Sequence, residues 1–199
     1  SAGTIPLTYA VYPEDVTKAQ FDFATVPDMM AFYQSAFGPY PFDKYGMVAV
    51  EPFGAGGMEH QSMTTINRSW VTGTRSREAG IAHELTHQWF GDLVSPQSWA
   101  EIWLNEGFAT YGDLLYRQHA YGDSAFRAGL RQARAYYFSE DGTARYAIYN
   151  PPRSLNGRDY LFGLTVYYKG AWVLHMLRSM VGDAAFTQIL QTYTQRYAY

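Results

Sequence analysis

The chain has 199 residues, no cysteine, 47% hydrophobic and 17% charged residues, and a formal net charge of −3. That balance describes a folded globular chain. It excludes a disulfide framework, thiolate metal sites and the basic surface of a nucleic-acid binder, and no stretch approaches the roughly 20 apolar residues that cross a bilayer.

The chain starts at Ser1, and residues 191–199 read as a helix without a closing cap, so a segment of a longer or processed chain is expected. The compartment is left open. With 18 Tyr, 12 Phe and 5 Trp, large rings fill the interior and line clefts, and no single tyrosine stands out on composition.

Residues 1–24 mix Thr, Tyr, Val and Pro without a helical period and are expected to form strand and linker. Thr25 is positioned to cap a short helix from about Pro27 to Phe37, with Pro27 suited to the first turn and Gly38 to the stop. The run Gly38-Pro39-Tyr40-Pro41-Phe42 cannot be helical, and Tyr45 to Val50 reads as a strand. Phe53 to Gly57 is a glycine-rich turn leading into Met58 to Ile66, expected as an exposed edge strand. From about Arg75 the character becomes helical. One helix is expected to run to Phe90 and stop at Gly91. A second starts near Ser98, where Ser98 and Glu101 have capping-box spacing, and runs towards Ala120. Asp123 can cap a third, and a fourth covers about Leu161 to Val181, with Gly182 and Asp183 repeating the stop and start of Gly122 and Asp123. A small sheet followed by helices makes the fold class α+β. The expected organisation is one domain over 1–199, with a strand and loop lobe at about 1–72 holding one short helix, and a helical lobe at about 73–199.

The sequence His83-Glu84-Leu85-Thr86-His87 fits H-E-x-x-H. Residues four apart share a helix face, so both imidazoles can reach one ion. Zinc suits two neutral imidazoles and a carboxylate, with a fourth position left for water. Glu84 points beside that metal and is the candidate general base. Glu106, in Trp103-Leu104-Asn105-Glu106-Gly107-Phe108-Ala109, is the candidate third ligand, nineteen positions after His87 on an expected antiparallel return. Asp113, two turns further on, can either accept a hydrogen bond from the far nitrogen of a ligand histidine or form a helix-surface ion pair.

These pieces stand in the order of the aminopeptidase N family, which the chain resembles: Gly38 to Tyr45, Gly56-Gly57-Met58-Glu59-His60, His83 to Asp92, Trp103 to Ala109, and Tyr167-Tyr168-Lys169-Gly170-Ala171. The resemblance covers roughly Pro27 to Val181. It implies a thermolysin-like zinc peptidase domain with Zn2+ as cofactor and peptides with a free N-terminus as substrates. It also implies that Glu59 binds the substrate amine, that the backbone of Gly56 and Gly57 lies alongside the substrate, and that the Tyr167 hydroxyl stabilises the oxyanion. His60 stands where the family usually has asparagine, and Tyr168 where it has an acidic residue. Family members carry a further N-terminal β domain and a C-terminal helical domain, both absent from these 199 residues, so the segment alone is expected to have little peptidase activity. Two other readings compete: a thermolysin-type endopeptidase, which does not need Glu59, and a non-catalytic interaction domain that keeps the fold.

Overall fold

The computed structural model describes residues 4–199; the first three residues of the expected strand-and-linker stretch lie outside them. A four-stranded mixed sheet comes first, in the order β1-β2-β4-β3. β1 (Leu7–Ala10) and β4 (Thr64–Asn67) flank β2 (Tyr45–Val50), both parallel to it, with Leu7 opposite Tyr45 and Met47 opposite Thr64. β3 (Gly57–Met58) pairs antiparallel with β4 on the outside. β2 is nearly all buried, as a strand paired on both sides requires.

Two expectations for this part need correction. Residues 1–24 contain a 3₁₀ turn at Pro13–Asp15 and a helix, α1 (Val16–Asp22). A seven-residue helix is too short to persist on propensity alone. Tertiary contacts hold it: Ala19 is buried, and the Asp22 carboxylate accepts the backbone N–H groups of Thr72, Gly73 and Arg75 at 2.6, 2.8 and 2.7 Å. The stretch Met58 to Ile66 is not one edge strand. Only β3 is at the edge, residues 59–63 form a turn, and β4 is interior with Thr64 and Ile66 fully buried.

α2 (Val26–Phe37) carries Met29, Met30, Tyr33 and Phe37 into the core and ends at Gly38, whose φ is 105°. Thr25 precedes it but makes no side-chain cap bond. The Tyr33 hydroxyl lies 3.1 Å from the carbonyl of Ala82 and 3.0 Å from that of Gly112, tying α2 to α3 (Glu78–Thr86) and α4 (Trp103–Asp141). The buried Trp89 donates its indole N–H to the carbonyls of Gly38 and Pro39, which satisfies the proline-rich turn.

α3 ends at Thr86, short of the expected Phe90. The reason is local: residues 87–89 turn, Trp89 and Phe90 enter the core, and Gly91 takes a φ of 138°. The capping box at Ser98 and Glu101 is formed, opening a 3₁₀ turn (Trp99–Glu101) that runs into α4. α4 is interrupted at Gly122 (φ 79°, ψ 177°), where the glycine–aspartate pair predicts a break. The last expected helix divides into a π-helical turn (Thr165–Lys169) and α5 (Gly170–Val181), and Gly182 separates α5 from α6 (Asp183–Arg196). Gly107 of α4 meets Gly170 so closely that a Cβ at Gly107 would stand 2.9 Å from the Gly170 Cα. This approach sets the π-turn, and with it Tyr167, against the start of α4.

Candidate metal centre and substrate cleft

His83 and His87 lie one helical turn apart at the end of α3, and Glu106 lies in the first turn of α4. The Nε2 atoms of the two histidines are 3.0 Å apart, and Glu106 Oε2 is 3.2 Å from His83 Nε2 and 3.4 Å from His87 Nε2. Donors about 2.0–2.1 Å from a tetrahedral zinc stand about 3.3 Å from one another, so this triangle fits the ion. The His87 Nδ1–H donates to the Phe90 carbonyl at 3.1 Å, which directs the Nε2 lone pair to the cluster. The charge pattern agrees. Burial opposes protonation of His87, yet the bond to Glu106 and the charges of Glu106, Glu59 and Glu84 outweigh it and push His87 up to about 10. The same carboxylates favour positive charge at this place, and a bound cation would compete with the proton for it.

Glu84 is buried beside the donors, with Oε2 unpartnered. Burial pushes its carboxyl up to about 7, against the lowering effect of the two histidines. Gly57 passes directly over it: a Cβ there would overlap the Glu84 carboxylate, and one at Gly56 would overlap the Trp70 ring. The Tyr167 ring stacks on His83 with centroids 5.9 Å apart, whereas Tyr168 packs on Tyr136. Burial, followed by the Glu106 charge, holds the Tyr167 phenol far above its ordinary range, so it is a proton-bearing donor.

Glu59 reaches the same centre from the turn after β3, with Oε1 at 3.8 Å from His87 Nδ1. Asn105 Nδ2 donates to that oxygen at 2.9 Å. Asp113 does not make the expected bond to a ligand histidine, nor is it on the surface. It is buried, and Arg117, one turn further along α4, donates Nε to one carboxylate oxygen at 3.0 Å and a terminal N–H to the other at 2.9 Å. His60 is exposed, with Nδ1 2.9 Å from the Thr65 hydroxyl.

The donors stand between two hollows. One, of about 570 Å³, is lined by Met58, Glu59, Trp99, Ile102, Asn105 and Phe162. The other, of about 540 Å³, includes Gly56, Gly57, His83, Glu84, Arg117 and Tyr167. The lining contributions of Phe162 and Trp99, the Asn105 link, and the bonds of Gln88 to the Glu59 carbonyl and the Ser62 N–H carry no sequence signal of their own. Asn105 lies inside the Trp103–Ala109 motif, but no local pattern signals its partner 46 residues away.

The Peptidase family M1 domain model matches residues 21–199. Aminopeptidase N of Streptomyces lividans is 32% identical over 197 residues, covering 93% of this chain and 22% of that protein. Aminopeptidase M1-A of Oryza sativa subsp. japonica is 30% identical over 202 residues, covering 95% of this chain and 23% of its own length. The chain thus spans less than a quarter of these relatives. An M1 zinc metallopeptidase from Deinococcus radiodurans superposes over the whole chain and 43% of its own, with TM-score 0.72 and 31% identity. Native leukotriene A4 hydrolase of Saccharomyces cerevisiae shares the fold, with TM-score 0.84 and 23% identity over the whole chain and 33% of its own.

Proposed function

Because the chain belongs to peptidase family M1, we propose that it is the catalytic domain of a zinc aminopeptidase that removes N-terminal residues from peptides. The carrying observation is the convergence of Glu59, Glu84 and the His83–His87–Glu106 triangle at the junction of two hollows. His83, His87 and Glu106 would hold the zinc ion. When bound, zinc supplies Lewis acidity towards a water and a substrate carbonyl.

The protein's own residues do the rest. Glu59 pairs with the substrate ammonium, a charge-assisted contact in a partly desolvated site. The first side chain enters the hollow beside Met58 and Phe162, and the rest of the peptide leaves past Gly57 and Tyr167. The backbone of Gly56 and Gly57, drawn in over Trp70 and Glu84 where a Cβ would not fit, lies alongside the substrate at the outer edge of β3. Glu84 takes a proton from the attacking water onto its unpartnered oxygen and returns it to the departing amine. Tyr167 donates its phenol hydrogen to the carbonyl oxygen as negative charge builds there. Asp113 acts on His83 through its charge while Arg117 holds its oxygens.

This reading takes residues 1–199 as one catalytic domain with lobes at about 1–72 and 73–199. The relatives' greater length supports further domains in the parent chain, and the segment alone is expected to turn over little substrate. Among the described residues no helix is long and apolar enough to cross a membrane. The test is a panel of aminoacyl arylamides given to the full-length protein with and without a chelator, alongside N-acetylated peptides. Chelator-sensitive cleavage confined to free amines is expected. Equal cleavage of acetylated peptides would establish the endopeptidase reading instead, and a purified protein that retains no zinc would indicate a non-catalytic domain.

A further inference from the structure

Glu59 is held largely from outside its own hairpin. The turn at residues 59–63 has few internal ties, among them the Met63 N–H donating to the His60 carbonyl and the exposed His60–Thr65 contact. Two buried amides reach it from elsewhere. Asn105 Nδ2 donates to Glu59 Oε1 at 2.9 Å. Gln88 Nε2 donates to the Glu59 backbone carbonyl at 3.3 Å, while Gln88 Oε1 accepts the Ser62 N–H at 2.7 Å. Gln88 is fully buried and Asn105 is 6% exposed. Their places in the chain matter: Gln88 directly follows His87, and Asn105 directly precedes Glu106. Asn105 is itself seated against Gly91, where a Cβ would overlap its Oδ1.

We propose that Gln88 and Asn105 are positioning residues that form a ruler, fixing the Glu59 carboxylate at a set distance from the metal donors and so selecting which peptide bond is cut. The inference rests on the aminopeptidase reading and deepens it. In a peptide, the terminal nitrogen and the first carbonyl carbon are about 2.5 Å apart, and an extended chain carries the next carbonyl about 3.3–3.6 Å further along. Choosing the first bond over the second therefore requires an anchor that cannot drift by a residue's length. A turn fixed only by its own strands does not provide that constraint, whereas two amides each one residue from a metal ligand do.

The test uses the full-length, zinc-loaded protein and the single variants Asn105→Ala and Gln88→Leu. Zinc content and thermal unfolding are measured first for each. Peptide binding is then measured calorimetrically in a Glu84→Gln background, so that no turnover intervenes. The expected result is zinc retained, affinity and KM for free-amine peptides weakened roughly tenfold or more, as loss of a bond to a charged group implies, and kcat much less affected. Mass spectrometry of the products should show dipeptide release appearing beside single residues. Because Gln88→Leu risks unfolding, Asn105→Ala carries the result if only that variant is folded. A folded, zinc-replete Asn105→Ala protein with unchanged KM and single-residue products overturns the ruler while leaving the aminopeptidase reading intact. Wild-type protein that cleaves N-acetylated and free peptides alike overturns both.

Discussion

The proposed metal-binding side of the site and the proposed amine-binding side are built by different means. His83 and His87 share one helix face, and Glu106 comes from the first turn of the helix packed against it, so backbone periodicity and helix packing bring the donors together. Glu59 stands on a short turn beside a two-residue edge strand, and its side chain is 20% exposed. Side-chain amides from the helical part secure it. A helix face tolerates substitution at its neighbours because many backbone bonds define it, whereas a turn fixed by a few side-chain bonds depends on each of them.

The sharpest way to separate the two sides is to remove a donor. His87→Ala should leave a protein without stoichiometric zinc by elemental analysis and without measurable peptidase turnover, because one corner of the donor triangle is gone. Glu84→Gln should keep zinc while kcat falls about 10²–10⁴-fold, the usual contribution of a positioned general base. Pre-steady-state and steady-state rates on one aminoacyl substrate check it. On the other side, Glu59→Ala should retain zinc and raise KM for free-amine substrates roughly 10–100-fold, reducing the preference for free over acetylated peptides. If Glu59→Ala instead lost the metal, the two sides would be one structural unit and the distinction would fail.

Smaller effects concern the scaffold that joins the two sides. Gly107→Ala should cost about 1–3 kcal/mol in denaturant unfolding, because the added methyl meets the Gly170 backbone. Asp22→Ala should cost about 1–3 kcal/mol at neutral pH by freeing the loop that leads from β4 into α3. Burial would raise the Asp22 carboxyl, but the N–H groups of Arg75, Gly73 and Thr72 prevail and hold it below 3.8. A depressed carboxyl stabilises the fold above its unfolded value and loses that contribution as pH falls through its folded value. The gap between wild type and Asp22→Ala should therefore narrow below pH 3.8.

Reading the sequence went furthest where structure is local. The Ser98–Glu101 capping box formed, and the breaks at Gly122 and Gly182 fall where the glycine–aspartate pairs stand. The strand Tyr45–Val50 has its expected limits. The sequence was less informative where distant segments decide the outcome. α1 depends on Asp22 reaching residues 50 and more positions away. β4 is interior because β3 turns back and covers it. Asp113 is buried where α4 packs on its neighbours while Arg117 stays partly exposed at the hollow, and a one-turn spacing alone cannot say which side of a helix is inside or out.

For this protein, then, the sequence by itself determined the candidate donors, their spacing, the candidate base beside them and the family to which the chain belongs. Helix periodicity is a property of consecutive residues, so it can be read without knowing the neighbours. Only the tertiary structure decided that the three donor atoms lie 3.0 to 3.4 Å apart, that Gly57 closes over Glu84, and that Glu59 is tied to Gln88 and Asn105. Those features arise from close packing and hydrogen bonds between segments far apart in the chain, and no local pattern encodes a distance across a fold.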